Sequence, residues 1–182
     1  PQPVGGVNTP FSTNDVAVRG DHAYVLDNQT GLHVVDVADP AAPFLVSNAP
    51  TPGHALAVAL ADDHALVAAD DGGLQVLDVG DPAAPVLVAA VAVPDRAQDV
   101  ATLGQLALVA AGEAGLQVVD VADPADPHLV GAVPAAAPAH GVVATDGLAL
   151  VASGEEGLTV VDVGDPGSPF VVGQLALPGL AR

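Results

Sequence analysis

The sequence predicts an all-β fold: a β-propeller, or an arc of one, of four 42-residue four-stranded blades with an additional N-terminal outer strand. Three observations predict it. Asp-Pro recurs at Asp39-Pro40, Asp81-Pro82, Asp123-Pro124 and Asp165-Pro166, each step being 42 residues with no insertion. The same step links Gly31, Gly73, Gly115 and Gly157, the series Asp36, Asp78, Asp120 and Asp162, and the series Pro43, Pro85, Pro127 and Pro169. Between these anchors lie short Val, Leu and Ala runs bounded by Gly, Pro and Asp, too short and too broken for helices.

Each unit holds four such runs. The first is Val16 to Val18, recurring at Val58 to Leu60, Val100 to Thr102 and Val142 to Ala144. The second is Ala23 to Leu26, recurring from Ala65, Ala107 and Ala149. The third is Leu32 to Val37, recurring from Leu74, Leu116 and Leu158, and the fourth is Phe44 to Val46, recurring at Val86, Leu129 and Phe170. The runs are apolar on both faces instead of alternating, as expected of sheets stacked face to face. Alanine at the start of the second run suits close approach of neighbouring sheets. A β-solenoid is the rival architecture, but its coils are usually shorter than this unit.

Four units leave 14 residues over, 13 of them at the front. Shifted forward by one unit, Pro1 falls on Pro43, Val4 on Val46, Thr9 on Thr51 and Pro10 on Pro52. Residues 1–13 therefore read as an outer strand and loop, followed by repeats at about 14–55, 56–97, 98–139 and 140–182. A closed four-blade ring has no use for a fifth outer strand. The excess fits an excerpt of a longer propeller, or an arc completed by another chain as a ring or polymer. The chain does not begin with Met, which points to a trimmed or excerpted N-terminus.

The third run reads LHVVDVADP, LQVLDVGDP, LQVVDVADP and LTVVDVGDP. This resembles the LVIVD-repeat family, as do the segments HAYVLD and HALVAAD, each followed by Gly-Leu. The resemblance spans essentially the whole chain in four copies. It implies a β-propeller, commonly on secreted or cell-surface bacterial and archaeal proteins, and no shared enzymatic activity.

Composition sets the remaining bounds. The chain carries 22 Asp and Glu against three Arg and no Lys, a net charge of −19. Such a surface excludes nucleic acid as a partner, since phosphate binding needs clustered cations. It would also be repelled by an anionic membrane. The acidity fits a codon-biased genome or a salt-exposed surface kept soluble by carboxylates. With no Cys there is no disulfide, thiolate metal site or Cys nucleophile. The longest uncharged stretch, Pro127 to Thr145, holds three Pro and two His and is no membrane span.

In a propeller, the loops entering the first strands and those joining second to third strands share one face. They place Asp15, His54, Arg96, Asp99 and His140 near the channel mouth, the candidate ligand-binding set. A hydrolytic reading would use His54 or His140 as base, but no nucleophile or catalytic motif accompanies them. Asp70, Asp71, Glu155 and Glu156 are weak Ca²⁺ candidates, because oxygen donors suit Ca²⁺ while the spacing of a Ca²⁺ loop is missing; no other cofactor is expected. Asp36, Asp39, Asp78, Asp81, Asp120, Asp123, Asp162 and Asp165 are expected to fold the turns, accepting bonds from turn amides while Pro fixes φ. The resulting expectation is a non-enzymatic extracellular or cell-surface scaffold for protein or glycan contacts. A ligand-binding or hydrolytic propeller and a calcium-stabilised adhesion module are the alternatives.

Overall fold

The computed structural model describes residues 4–134 and 136–177, and all its regular structure is antiparallel β. Blade 1 comprises β1 (Thr13–Arg19), β2 (His22–Asp27), β3 (Gly31–Asp36) and β4 (Phe44–Ala49). Blade 2 comprises β5 (Ala57–Ala61), β6 (His64–Ala68), β7 (Leu74–Asp78) and β8 (Val86–Val91). Blade 3 comprises β9 (Asp99–Leu103), β10 (Leu106–Ala110), β11 (Leu116–Asp120) and β12 (His128–Val133). Blade 4 comprises β13 (Gly141–Thr145), β14 (Leu148–Ser153), β15 (Gly157–Asp162) and β16 (Phe170–Leu175). Each blade is a four-stranded meander in sequence order. No helix among the described residues is long and apolar enough to cross a membrane.

The turns explain the anchors. Asp36, Asp78, Asp120 and Asp162 each accept, through Oδ1, the amide two residues on, at 2.8–2.9 Å. Asp39, Asp81, Asp123 and Asp165 do the same at 2.9–3.1 Å. Each Asp-Pro turn closes with a backbone bond to the residue three on, as in Ala42 N–H to Asp39 C=O at 3.0 Å. Two successive Asx turns thus steer the third strand into the fourth. A bulge follows in every blade, between Val34/Val35, Val76/Leu77, Val118/Val119 and Val160/Val161. Such bulges sharpen the twist that lets the sheets splay outward from a hub.

The core lies between blades. One side of each sheet, here the back face, packs on the front face of the next. Tyr24, Leu26, Leu32 and Val34 meet Val58, Ala65, Val67, Leu77 and Val79. Leu66, Ala68, Leu74 and Val76 meet Val100, Ala107, Val109, Val119 and Val121. Leu108, Ala110, Leu116 and Val118 meet Val142, Ala149, Val151, Val161 and Val163. Ala65, Ala107 and Ala149 are fully buried, the close-approach positions that the sequence pattern predicts. Arg19 adds a clasp between the first two blades. Its guanidinium lies 5.6 Å from the Tyr24 ring centroid, donates to Tyr24 Oη at 3.2 Å and Val79 C=O at 3.1 Å, and reaches Asp63 at 3.5 Å.

The molecule is an open arc. β1 packs beside β5, β5 beside β9 and β9 beside β13, while β13 and β1 do not close on each other as those neighbours do. Residues 4–12 follow the place of an outer strand without pairing to any sheet. A Cβ on Gly5 would meet Pro40 C=O and Pro43, as one on Gly131 of β12 would meet Pro166 C=O and Pro169 of the following blade. Gly5 and Gly131 occupy the same repeat position. The N-terminal segment therefore sits where a preceding blade's outer strand would sit. It forms no ladder with any strand among the described residues. Residues 1–3 of the expected segment are outside the described residues.

The repeated glycine before the third strand has φ of 91°, 71°, 76° and 81° at Gly31, Gly73, Gly115 and Gly157. A Cβ at Gly73 would strike the Val91 carbonyl. Gly73→Ala should therefore cost more than about 2 kcal/mol, from strain plus the collision. Gly104→Ala, at φ 58° with open space around it, should cost only about 1 kcal/mol. Denaturant melts of the two variants measure the difference.

Candidate mouth-face site

The loops entering the first strands and those joining second to third strands do share one face. Asp70 exchanges backbone bonds with Ala97, as Gly112 does with Ala139. The equivalent positions Gln98 and His140 meet across adjacent blades, with His140 Nδ1 2.7 Å from Gln98 Oε1. Asn14, also at that position, donates to Ala55 C=O at 2.8 Å. Side chains at the hub are thus engaged with the neighbouring blade.

Asp15 and Asp99 show this most clearly. Asp15 accepts the Val16 amide at 2.8 Å and, through its other oxygen, the Val58 amide of blade 2 at 2.8 Å. Asp99 accepts the Val100 amide at 2.9 Å and the Val142 amide of blade 4 at 2.7 Å. Both carboxylates are spent on joining inner strands. Their repeat equivalents are Ala57 and Gly141, so the carboxylate link joins blade 1 to 2 and blade 3 to 4 and skips the middle interface. Burial pushes the Asp99 carboxyl up; the Val142 and Val100 amides pull it down and the Asp15 charge adds to the rise, leaving it above the usual Asp value.

The other candidates divide between two places. Arg96 Nε lies 3.5 Å from Asp70 Oδ1 and 3.7 Å from Asp71 Oδ1, so these two acids face a protein cation. His140, Glu155 and Glu156 line an open cleft of about 380 Å³ with Glu113, Ala136, Ala137, Pro138 and Gly154. His54 is exposed and enters no hydrogen bond or ion pair among the described residues. Among those residues no three His, Asp or Glu side chains converge as a metal set would.

Two features escape the repeat-based reading. Asp27 is fully buried and accepts the amides of Gln29 at 3.1 Å, Thr30 at 3.0 Å and Phe11 at 2.7 Å. Burial alone would raise its pKa, but these bonds, with the Thr30 hydroxyl, bring it down to about 2. This carboxylate ties the N-terminal segment to blade 1. The second feature is a row of buried polar side chains at one third-strand position: His33, Gln75, Gln117 and Thr159. Gln75 Nε2 donates to Pro52 C=O, Gln117 Nε2 to Ala114 C=O at 2.8 Å, and Thr159 accepts from Ser153 at 2.9 Å. His33 Nε2 lies 2.7 Å from Thr30 Oγ1, and burial lowers its pKa against the opposing pull of Asp27. The polar residue interrupting each apolar third strand was a visible signal for this row.

Carboxyl-carbon NMR should find Asp27 titrating below, and Asp99 above, the ordinary Asp range. A depressed carboxylate stabilises the fold above its unfolded pKa and loses that contribution as pH falls through its folded pKa. The Asp27 contribution should therefore be complete above about pH 4 and vanish toward pH 2. Acid melts of the wild type and Asp27→Asn should differ above this window and converge below it. Separately, Asp15→Ala strands the Val58 amide and should cost about 1–3 kcal/mol in a denaturant melt.

Comparison with known proteins bears on the fold. The designed protein Ika4 is 12% identical, with 95% of this chain and 99% of that chain covered at a TM-score of 0.72. The designed protein Ika8 is 13% identical, with 92% of this chain but 49% of that chain covered, at 0.71. A functionally unknown protein from Desulfotomaculum acetoxidans DSM 771 is 13% identical, with 96% of this chain and 59% of that chain covered, at 0.81. The chain thus spans about half to three-fifths of the two longer structures. No curated protein matches it. The LVIVD-repeat model matches residues 12–51, 52–93, 95–134 and 138–176, one match per blade, and with nearly the whole length covered the chain belongs to the LVIVD-repeat family.

Proposed function

We propose that this propeller arc is a non-enzymatic scaffold, outside the cell or on its surface, whose mouth-face loops contact a protein or a glycan. The observation that carries the reading is the division of labour among the mouth-face residues. Asp15 and Asp99 are bound to neighbouring inner strands, and Arg96 faces Asp70 and Asp71. That leaves His54 and the open cleft around His140, Glu113, Glu155 and Glu156 as the exposed chemistry. Carboxylates and an imidazole on a rigid support suit sugar hydroxyls or the basic side chains of a protein, both of which donate hydrogen bonds to such acceptors. The resemblance to secreted and surface LVIVD proteins supports the location, and the acidic surface suits an exposed, soluble module.

Glycan arrays and capture from surface-protein extracts should yield a ligand for the chain. Combining Glu113→Gln with Glu155→Gln and Glu156→Gln should weaken that binding at least tenfold without lowering the melting temperature, since all three side chains are exposed and line the cleft and not the core. Undiminished binding by the triple variant would place the contact elsewhere. Turnover of a bound glycan that vanished with His54→Ala or His140→Ala would replace the scaffold by a hydrolase.

A further inference from the structure

The two ends of the arc expose what its three internal interfaces bury. Val16 of blade 1 is 54% exposed, whereas its repeat equivalents Val58, Val100 and Val142 are 7%, 5% and 4% exposed on the front faces of blades 2, 3 and 4. Val18 is exposed likewise, and Val25 and Val37 are half-buried where their equivalents are buried. At the other end, Leu150, Ala152, Leu158 and Val160 are half-buried on the back face of blade 4, while Leu108, Ala110, Leu116 and Val118 at the same positions of blade 3 are buried against the next blade. Val143, on that same back face, is 61% exposed. None of these end-face side chains carries charge, in a chain whose net charge is −19.

We infer that the two end faces fit each other and that a second copy of this chain covers both, head to tail, so that two arcs close one ring. The occupant follows from the repeat. Each internal interface joins a back face of one composition to a front face of another, and the exposed pair is one of each. An unrelated partner would need to match both faces; a second copy already does. The slot at the rim agrees. Gly5 of the N-terminal segment lies against Pro40 and Pro43, where Gly131 of β12 lies against Pro166 and Pro169. Gly173 of β16 holds that same repeat position and has nothing against it. On association the partner's β16 takes this slot and displaces the part of the segment around Gly5, which is held by no ladder and precedes the Phe11–Asp27 tie. The number of copies agrees with length: the arc covers 49% of the longer designed structure, a length that two copies match. The contact is heterologous, and closing on itself twice limits it to a ring. Two strongly acidic arcs repel, so salt promotes the association by screening that repulsion.

Sedimentation velocity on the 182-residue chain tests this. The wild type should sediment at twice the monomer mass, more completely at high salt. Val18→Glu and Val143→Glu should each be monomeric and still melt cooperatively, at the temperature the wild type shows when diluted to monomer, since both side chains are exposed in the single arc. Val86→Glu, on an exposed rim position of β8, adds the same charge away from either end and should still dimerise. Mixing Val18→Glu with Val143→Glu should restore a dimer, because one of the two seams then joins two unaltered faces. A wild type that is monomeric at every concentration and salt would overturn the inference. So would a dimer lost in only one of the two variants, which indicates a like-with-like contact, and so would open-ended polymers. None of these results bears on the mouth-face cleft, whose ligand is assayed separately.

Discussion

The contact between the back face of one sheet and the front face of the next is the constraint on which the rest of this molecule depends. A single four-stranded blade has no interior. Its apolar side chains become core only when a second blade covers them, as Leu66 and Val76 are covered by Val100 and Val109. That requirement explains the small, branched composition of the strands. Alanine at one position and Val or Leu at the next let the sheets approach closely, and Tyr24 is the one aromatic side chain in the described core, all three Phe being exposed. It also explains why the acids sit at the ends of strands, where the stack meets water.

Much of the architecture was legible in the sequence because it is carried by local chemistry that recurs. Asp36 and Asp39 each bind an amide two residues on, and such a turn leaves its signature within a few residues. Gly31 must adopt a positive φ, which leaves its signature at a single position. Both signals survive in every unit, so the blade count could be read directly. The N-terminal segment was recognisable by its register, but that it lies unpaired against Pro40 and Pro43 follows from packing that no local pattern encodes.

The candidate site was less legible, and for a different reason. Asp15 and Asp99 read as ligand-facing acids because they stand at the mouth, yet their partners are amides 43 residues away. Through-space contacts of that kind follow from the angle between stacked blades, which no local pattern encodes. Asp27 was hidden for the same reason: its bond to the Phe11 amide spans 16 residues and departs from the repeat. Arg96, by contrast, could be placed near Asp70 and Asp71 from the loop alignment alone, and only the pairing itself needed coordinates.

The alternation of Asp15, Ala57, Asp99 and Gly141 has a mechanical consequence. A carboxylate rivets the inner strand of blade 1 to that of blade 2, and another rivets the inner strand of blade 3 to that of blade 4, but among the described residues no such bond joins the inner strands of blades 2 and 3. Adhesion of apolar faces resists sliding softly, whereas a short charged hydrogen bond resists it stiffly until it snaps. The middle seam is held differently: Asp70 and Ala97 exchange backbone bonds there, Asp95 accepts the Glu113 amide at 2.8 Å, and Arg96 faces Asp70 and Asp71. The mouth-face loops thus bear at the middle seam the load that carboxylates on the inner strands bear at the outer two.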